Sequence, residues 1–168
     1  HMWFGNLVTM KWWNDLWLNE SFATYMATLS STTIPEFSDA WRHFHSTKDW
    51  AYWTDQLVTT HPIVATVPDT MNALTNFDGI TYGKGASVMQ QLAFAIGPDK
   101  FRDGMRMYFK RHANSNATLA DFMSALEAGS GQQLGSWQKQ WLQTSGVNTV
   151  TAVWACQDGK IKSLDLEQ

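Results

Sequence analysis

The sequence is poor in several kinds of residue, and each shortage excludes a class of protein. A single cysteine, Cys156, permits neither an internal disulfide nor a zinc finger built from cysteines. No apolar stretch reaches the roughly 20 residues that a membrane-spanning helix needs. Charged residues make up only 16% of the chain and hydrophobic residues 44%, which excludes a disordered tail and predicts a compact domain with a sizeable core.

Positive charge is also scarce. The chain has 12 Lys+Arg against 15 Asp+Glu, a formal net charge of -3, and no basic run interleaved with aromatic residues. Proteins that bind nucleic acid neutralise phosphates with clustered lysine and arginine. We therefore expect no nucleic acid partner.

Apolar residues recur at helical spacing over most of the chain. The first stripe runs from Trp17 to Leu29, and Glu20 lies on the same helix. A second helix is predicted to begin at Pro35 and to bury Phe37. Four more helices are predicted: from Tyr82 to Gly97, directly after Pro98, from the capping box Thr118–Asp121 to Gly129, and around Trp137 and Trp141. The region from Thr59 to Asn76 shows no clear period and is predicted to be irregular.

The pattern changes after Gly146. Extended chain is predicted from Val150, and Asp158-Gly159 before Ile161 indicates a hairpin. Because a lone hairpin is marginal in water, residues 148–168 are interpreted as the start of a β domain. Residues 1–147 then form a separate, helical domain.

The candidate metal ligands are His1 and Glu20, with 18 residues between them. A catalytic zinc usually takes three protein ligands, and a His-Glu-x-x-His helix supplies two of them with the glutamate as general base. A carboxylate about 20 residues further on completes the set when a second helix returns toward the metal. One such spacing does not by itself identify a metal site, so the assignment depends on the surrounding residues.

Residues 1–13, HMWFGNLVTMKWW, and 16–23, LWLNESFA, closely resemble the segment from the second zinc histidine to the zinc glutamate in the aminopeptidase N family. The resemblance implies that His1 and Glu20 bind Zn²⁺ and that the substrates are peptides shortened from their N termini. It further implies a mainly α fold, the C-terminal helical half of a thermolysin-like catalytic domain followed by the first hairpin of a β domain.

Residues 77–86, FDGITYGKGA, resemble the second signature of that family, whose tyrosine lines the active site. Tyr82 matches this tyrosine and is the predicted catalytic residue. A phenol suits the role because its hydroxyl can donate a hydrogen bond to the oxyanion that forms when a peptide carbonyl is attacked. The alternative is that Tyr82 only packs at the start of a helix.

The departures from the family pattern are omissions. The first zinc histidine, the general-base glutamate and the Gly-x-Met-Glu-Asn segment that holds the substrate's amino terminus are absent from these 168 residues. We therefore expect a fragment that begins at the second zinc histidine, is inactive by itself and binds zinc weakly. Two alternatives stay open: a non-catalytic helical binding or scaffold module of the same fold, and a relative with epoxide hydrolase activity.

Residues 141–148, WLQTSGVN, look most like soluble actinobacterial members of the family, so a bacterial, cytoplasmic protein is expected. His-Met is also a common cloning remnant, and the sequence does not decide whether His1 is native. It also leaves open the preferred substrate residue and the oligomeric state.

Overall fold

The computed structural model describes residues 1–168, and most of these are helical. Seven α-helices and four strands follow one another along the chain. They are β1 (Val8–Met10), α1 (Trp17–Ser31), α2 (Ala40–Asp55), α3 (Thr70–Leu74), α4 (Gly85–Ile96), α5 (Pro98–His112), β2 (Ser115–Ala117), α6 (Leu119–Ser130), α7 (Gly135–Leu142), β3 (Thr151–Gln157) and β4 (Lys160–Glu167). A one-turn π-helix, Ile80–Lys84, runs directly into α4, and 3-10 turns cover Trp13–Asp15 and Pro35–Phe37. The prediction of a mainly α fold with a hairpin after it is confirmed.

The core lies where α1, α4, α5 and α6 meet. Trp17 and Phe22 of α1 are fully buried there, and Phe22 meets Phe122 of α6 edge to face with ring centroids 5.0 Å apart. Fully burying one such side chain stabilises the fold by roughly 1.5–3 kcal/mol relative to leaving it exposed. The stripe predicted on α1 is therefore the inner face of the domain from Trp17 to Tyr25, which holds the helix carrying Glu20 in place, whereas Leu29 at the end of the stripe is exposed.

Several helix ends lie at the capping residues and breaks predicted from the sequence. Thr118 and Asp121 form the expected capping box at the start of α6. Gly97 has φ +92°, which glycine adopts without strain, and Pro98 then begins α5. Asp69 accepts a hydrogen bond from the Asn72 backbone N–H and starts α3, a short helix inside the region predicted to be irregular.

The prediction for the second helix is wrong at its beginning. Pro35 starts a separate 3-10 turn, and α2 begins only at Ala40 after the break at Asp39. Phe37 is consequently out of phase with α2, and 57% of it is exposed. Phe44 is buried as expected because it lies within the continuous helix.

Strands β1 and β2 form a parallel pair that the sequence pattern did not indicate. Val8 lies opposite Ser115, and Met10 lies opposite Ala117. The Asn114 backbone N–H also donates to the Leu7 carbonyl at 2.7 Å. Backbone donors and acceptors that lose water need a partner, and here the two segments supply it to each other. The pair therefore fixes the segment that follows His1 against the loop between α5 and α6.

Strands β3 and β4 form the predicted hairpin, with Trp154 opposite Leu164. Asp158 and Gly159 both have positive φ, 53° and 72°, as a two-residue turn of this kind requires. Every residue of both strands is exposed. The division into domains at residue 147 stays a prediction. None of the helices is long and apolar enough to cross a membrane.

Candidate active site

The structure brings together the two residues predicted to bind metal. Nε2 of His1 lies 3.2 Å from Oε2 of Glu20. The His1 side chain is 49% exposed, whereas that of Glu20, in the first turn of α1, is only 13% exposed. The site is thus a half-open pair of one imidazole and one carboxylate at the edge of the core.

His1 is held by the turn that follows it. Its Nδ1 lies 2.9 Å from the Phe4 carbonyl oxygen, and Phe4 stacks on Phe22 of α1 at 4.8 Å. Gly5 has φ +125°, and a Cβ there would lie only 3.3 Å from Nδ1. The turn therefore needs glycine at this position and sets His1 above the N-terminal turn of α1.

The protonation of His1 follows from its partners. A carbonyl oxygen only accepts hydrogen bonds, so Nδ1 carries the proton that it donates to Phe4. The lone pair of a neutral ring is then on Nε2, directed toward the Glu20 carboxylate. That arrangement is favourable only when a cation, either a second proton or a metal ion, is shared between the two groups. A ring nitrogen oriented through its other N–H is also how histidine usually presents itself to a metal.

The pair fits zinc in donor type and spacing. Imidazole nitrogen and carboxylate oxygen are both ordinary zinc ligands. Two such atoms, each about 2.05 Å from one tetrahedral zinc, would lie about 3.3 Å apart, close to the 3.2 Å separation between His1 and Glu20. No third histidine, cysteine, aspartate or glutamate joins them to form a metal-binding group. The donor set of this pair thus fits two of the three protein ligand positions of a catalytic zinc.

Tyr82 lies next to Glu20 but belongs to a different element of the fold. It lies in the middle of the π-helix Ile80–Lys84, and its hydroxyl lies beside the Glu20 carboxylate. Burial, followed by the neighbouring Glu20 carboxylate, raises the pKa of Tyr82 to about 12. Burial raises the pKa of Glu20 as well, and the Tyr82 hydroxyl opposes part of that shift. At neutral pH Tyr82 is therefore a protonated donor.

The close approach of α1 to the π-helix fixes Tyr82 relative to Glu20. Ser21, next to Glu20, donates from Oγ to the carbonyl of Thr81, next to Tyr82, at 2.6 Å. Gly85 faces the same serine, and a Cβ there would lie 2.0 Å from Ser21 Oγ. The two helices thus meet at a point where only glycine fits, with a buried hydrogen bond setting their register.

Gly85→Ala is expected to lower the free energy of unfolding of the 168-residue chain by about 1–3 kcal/mol, the usual cost of forcing an extra carbon into a packed core. Gly135→Ala is the matched control, because a Cβ at Gly135 meets nothing within 4 Å. The control should be neutral or slightly stabilising, by at most about 1 kcal/mol. Urea denaturation measures both variants, and equal midpoints would show that the contact between α1 and α4 is looser than described.

The start of the π-helix is held by charged groups that sequence reasoning missed. Oδ1 of Asp78 accepts from the backbone N–H of Ile80 and of Thr81. Nε2 of His61 lies 3.1 Å from the other oxygen of Asp78. Burial lowers the pKa of His61, but the hydrogen bonds to Asp78 and Pro62 and nearby negative charge outweigh it, so its pKa is raised. The Asp78-Gly79 turn before an apolar helix was the available sequence signal.

An imidazole and a carboxylate side by side, with a protonated phenol beside the carboxylate, are groups that a metal-dependent hydrolase uses. Residues 1–141 match the sequence profile of the peptidase family M1 domain. The chain belongs to peptidase family M1. This confirms the resemblance to the aminopeptidase N family, a family of peptidases.

Known relatives align with the whole chain. Aminopeptidase N of Streptomyces lividans is 49% identical over 100% of this chain, which corresponds to 20% of that protein. Aminopeptidase M1 of Arabidopsis thaliana is 40% identical over 100% of this chain and 18% of its own length. Leucyl aminopeptidase of Saccharolobus solfataricus is 37% identical over 100% of this chain and 21% of its own length. The chain thus spans about a fifth of the length of these curated relatives.

Proposed function

We propose that this chain contributes part of the active site of a zinc aminopeptidase. His1 and Glu20 provide two zinc ligands, and Tyr82 is the catalytic hydrogen-bond donor. The observation that carries the proposal is the meeting of these three side chains: Nε2 of His1 lies 3.2 Å from Glu20, and the Tyr82 hydroxyl lies beside the same carboxylate. Peptides are the proposed substrates, and removal of the N-terminal residue is the proposed reaction.

When bound, zinc supplies a Lewis acid that activates water and polarises a carbonyl group. The residues of this chain would hold the metal ion and orient the reacting groups. Glu20 is a largely buried anion that would offset part of the metal's charge, and the Phe4 carbonyl keeps the His1 ring in the orientation that presents Nε2. Tyr82 donates a hydrogen bond to the negative oxygen that develops on the peptide carbonyl, which stabilises the transition state more than the substrate.

A chimera tests the proposal. In it, residues 1–168 replace the matching segment of Aminopeptidase N from Streptomyces lividans, 49% identical to this chain. We expect the chimera to hydrolyse an alanine anilide, to lose this activity on treatment with a chelator and to regain it with Zn²⁺. The rest of the relative supplies the parts that the family resemblance implies: the first histidine, the general base and the amine-binding acid.

The 168 residues alone should show no measurable hydrolysis and only weak zinc binding, because they contain no His-Glu-x-x-His sequence and supply two ligands. The proposal is wrong if the chimera folds and retains zinc yet leaves the anilide intact, which is the result expected of a binding or scaffold module. Chelator-sensitive hydrolysis by the 168 residues alone would show that the missing groups are dispensable. A bacterial cytoplasmic location and the absence of a nucleic acid partner stay predictions.

A further inference from the structure

The π-helix that carries Tyr82 ends in a buried ion pair. Nζ of Lys84 lies 2.7 Å from Oδ2 of Asp55, and the Asp55 side chain is 1% exposed. Nζ also donates to the Gly146 carbonyl at 2.9 Å. The Lys84 side chain is 16% exposed, so the ammonium group has exchanged most of its water for these two partners.

Asp55 is itself fixed by several parts of the chain. It is the last residue of α2, and its Oδ1 accepts from Thr60 Oγ1 at 2.7 Å and from the Gly146 backbone N–H at 3.2 Å. A carboxylate bound by this many donors has one orientation. Lys84 is therefore anchored to a rigid point and not to a mobile surface acid.

The π-helix is tightly packed against α2. A Cβ at Gly83 would lie 2.5 Å from the Thr47 carbonyl oxygen. The ring of Tyr82 stacks on Trp50, also of α2, with centroids 6.3 Å apart. These contacts set the distance between the π-helix and α2. Flat rings and glycines alone do not prevent one helix from sliding along or rotating against the other. The ion pair between Lys84 and Asp55 joins the two helices at one point and opposes such movement.

We propose that Lys84, held by Asp55, is a positioning residue that sets the hydroxyl of Tyr82 in its catalytic place. Lys84 does not act on the substrate, because its ammonium group is already occupied by Asp55 and the Gly146 carbonyl. It acts through the backbone, since only Gly83 separates it from Tyr82 in a single π turn. Isolated π turns are rare and frequently occur at functional sites, where the strained turn needs support from its surroundings. The inference rests on the proposed catalytic role of Tyr82.

The test is Lys84→Met in the chimeric aminopeptidase described above, made both with Tyr82 present and in a Tyr82→Phe background. A misplacement of about 1 Å far from the reacting atoms can reduce turnover by about 100-fold, so we expect kcat to fall about 10- to 100-fold. KM should change by less than about twofold, because the lost interaction is one made in the transition state. Zinc content should be unchanged.

In the Tyr82→Phe background the same substitution should have no further effect on kcat, because the hydroxyl that Lys84 positions is already gone. Lys48→Met is the matched control: Lys48 is a half-buried lysine of α2 whose ammonium group lies over the Tyr52 ring, and the ion-pair partner of Asp55 is Lys84. It should leave kcat unchanged in both backgrounds.

Removal of Lys84 alone leaves the Asp55 charge buried and can unfold the protein. The double variant Asp55→Asn/Lys84→Met avoids this because it leaves no buried charge unpaired, and it should show the same dependence on Tyr82. Equal loss of kcat in both backgrounds, or loss of zinc, would overturn the positioning role and indicate a structural one. So would normal turnover of the double variant alongside a slow Tyr82→Phe enzyme. If Tyr82→Phe alone is fully active, the catalytic role of Tyr82 fails, and the positioning role fails with it.

Discussion

Tyr82→Phe is expected to reduce kcat of the chimeric aminopeptidase by about 10²–10³, the usual loss for one oxyanion hydrogen-bond donor. The phenylalanine ring keeps the stacking on Trp50, so the π-helix should be unaltered. KM should change little, because the donor acts on charge that develops only in the transition state. Steady-state hydrolysis of an alanine anilide gives both constants, and metal analysis should find normal zinc.

Tyr25→Phe is the matched control for this experiment. Tyr25 is a buried tyrosine of α1 whose pKa is also raised by burial, but it packs against Trp41 and Phe101 and not against Glu20. Its loss should affect stability alone. Turnover of Tyr82→Phe within about twofold of wild type would show that Tyr82 only packs at the start of a helix, since a lost oxyanion donor changes kcat far more.

Glu20→Gln is expected to abolish tight zinc binding in the chimeric aminopeptidase. Glutamine keeps the size of the side chain but removes the negative charge that a divalent cation needs. Loss of a residue that only supports a ligand lowers metal affinity by about 10- to 100-fold, so loss of a ligand itself should exceed that range. The measurement is zinc retained after dialysis against graded chelator concentrations, followed by activity on re-addition of Zn²⁺.

Glu36→Gln serves as the control for charge, because Glu36 is an exposed acid in the turn before α2. It should retain zinc and activity. Glu20 would not be a ligand if the Glu20→Gln enzyme kept stoichiometric zinc under conditions that strip none from Glu36→Gln. Partial zinc loss within the range of a supporting residue would assign Glu20 to the surroundings of the metal.

The helices could be predicted from the sequence because their evidence is local. The stripe on α1 as far as Tyr25, the Gly97-Pro98 break and the capping box at Thr118 each involve neighbouring residues, and the structure contains all three. Phe37 shows the limit of this reasoning, because an apolar residue near a helix fits the period equally well inside the helix or in a turn before it.

The site could be predicted only in part. The sequence resemblance pointed to His1, Glu20 and Tyr82, but periodicity alone gave no reason to place Tyr82 beside a residue 62 positions earlier. The pairing of β1 with β2 and the ion pair between Asp55 and Lys84 join segments far apart in the chain. Such contacts follow from how helices pack, and neither composition nor local spacing encodes them.

The hairpin formed by β3 and β4 implies that this chain does not unfold as a single unit. Its strands bury no residue, and Trp154 is 62% exposed, so few contacts resist its opening. Amide hydrogens in the hairpin should exchange with solvent through local fluctuations, whereas those of α1 and α4 should exchange only when the core itself opens. Amide exchange in the hairpin and far-ultraviolet circular dichroism from the helices would then report different transitions, and neither alone would give the stability of the other.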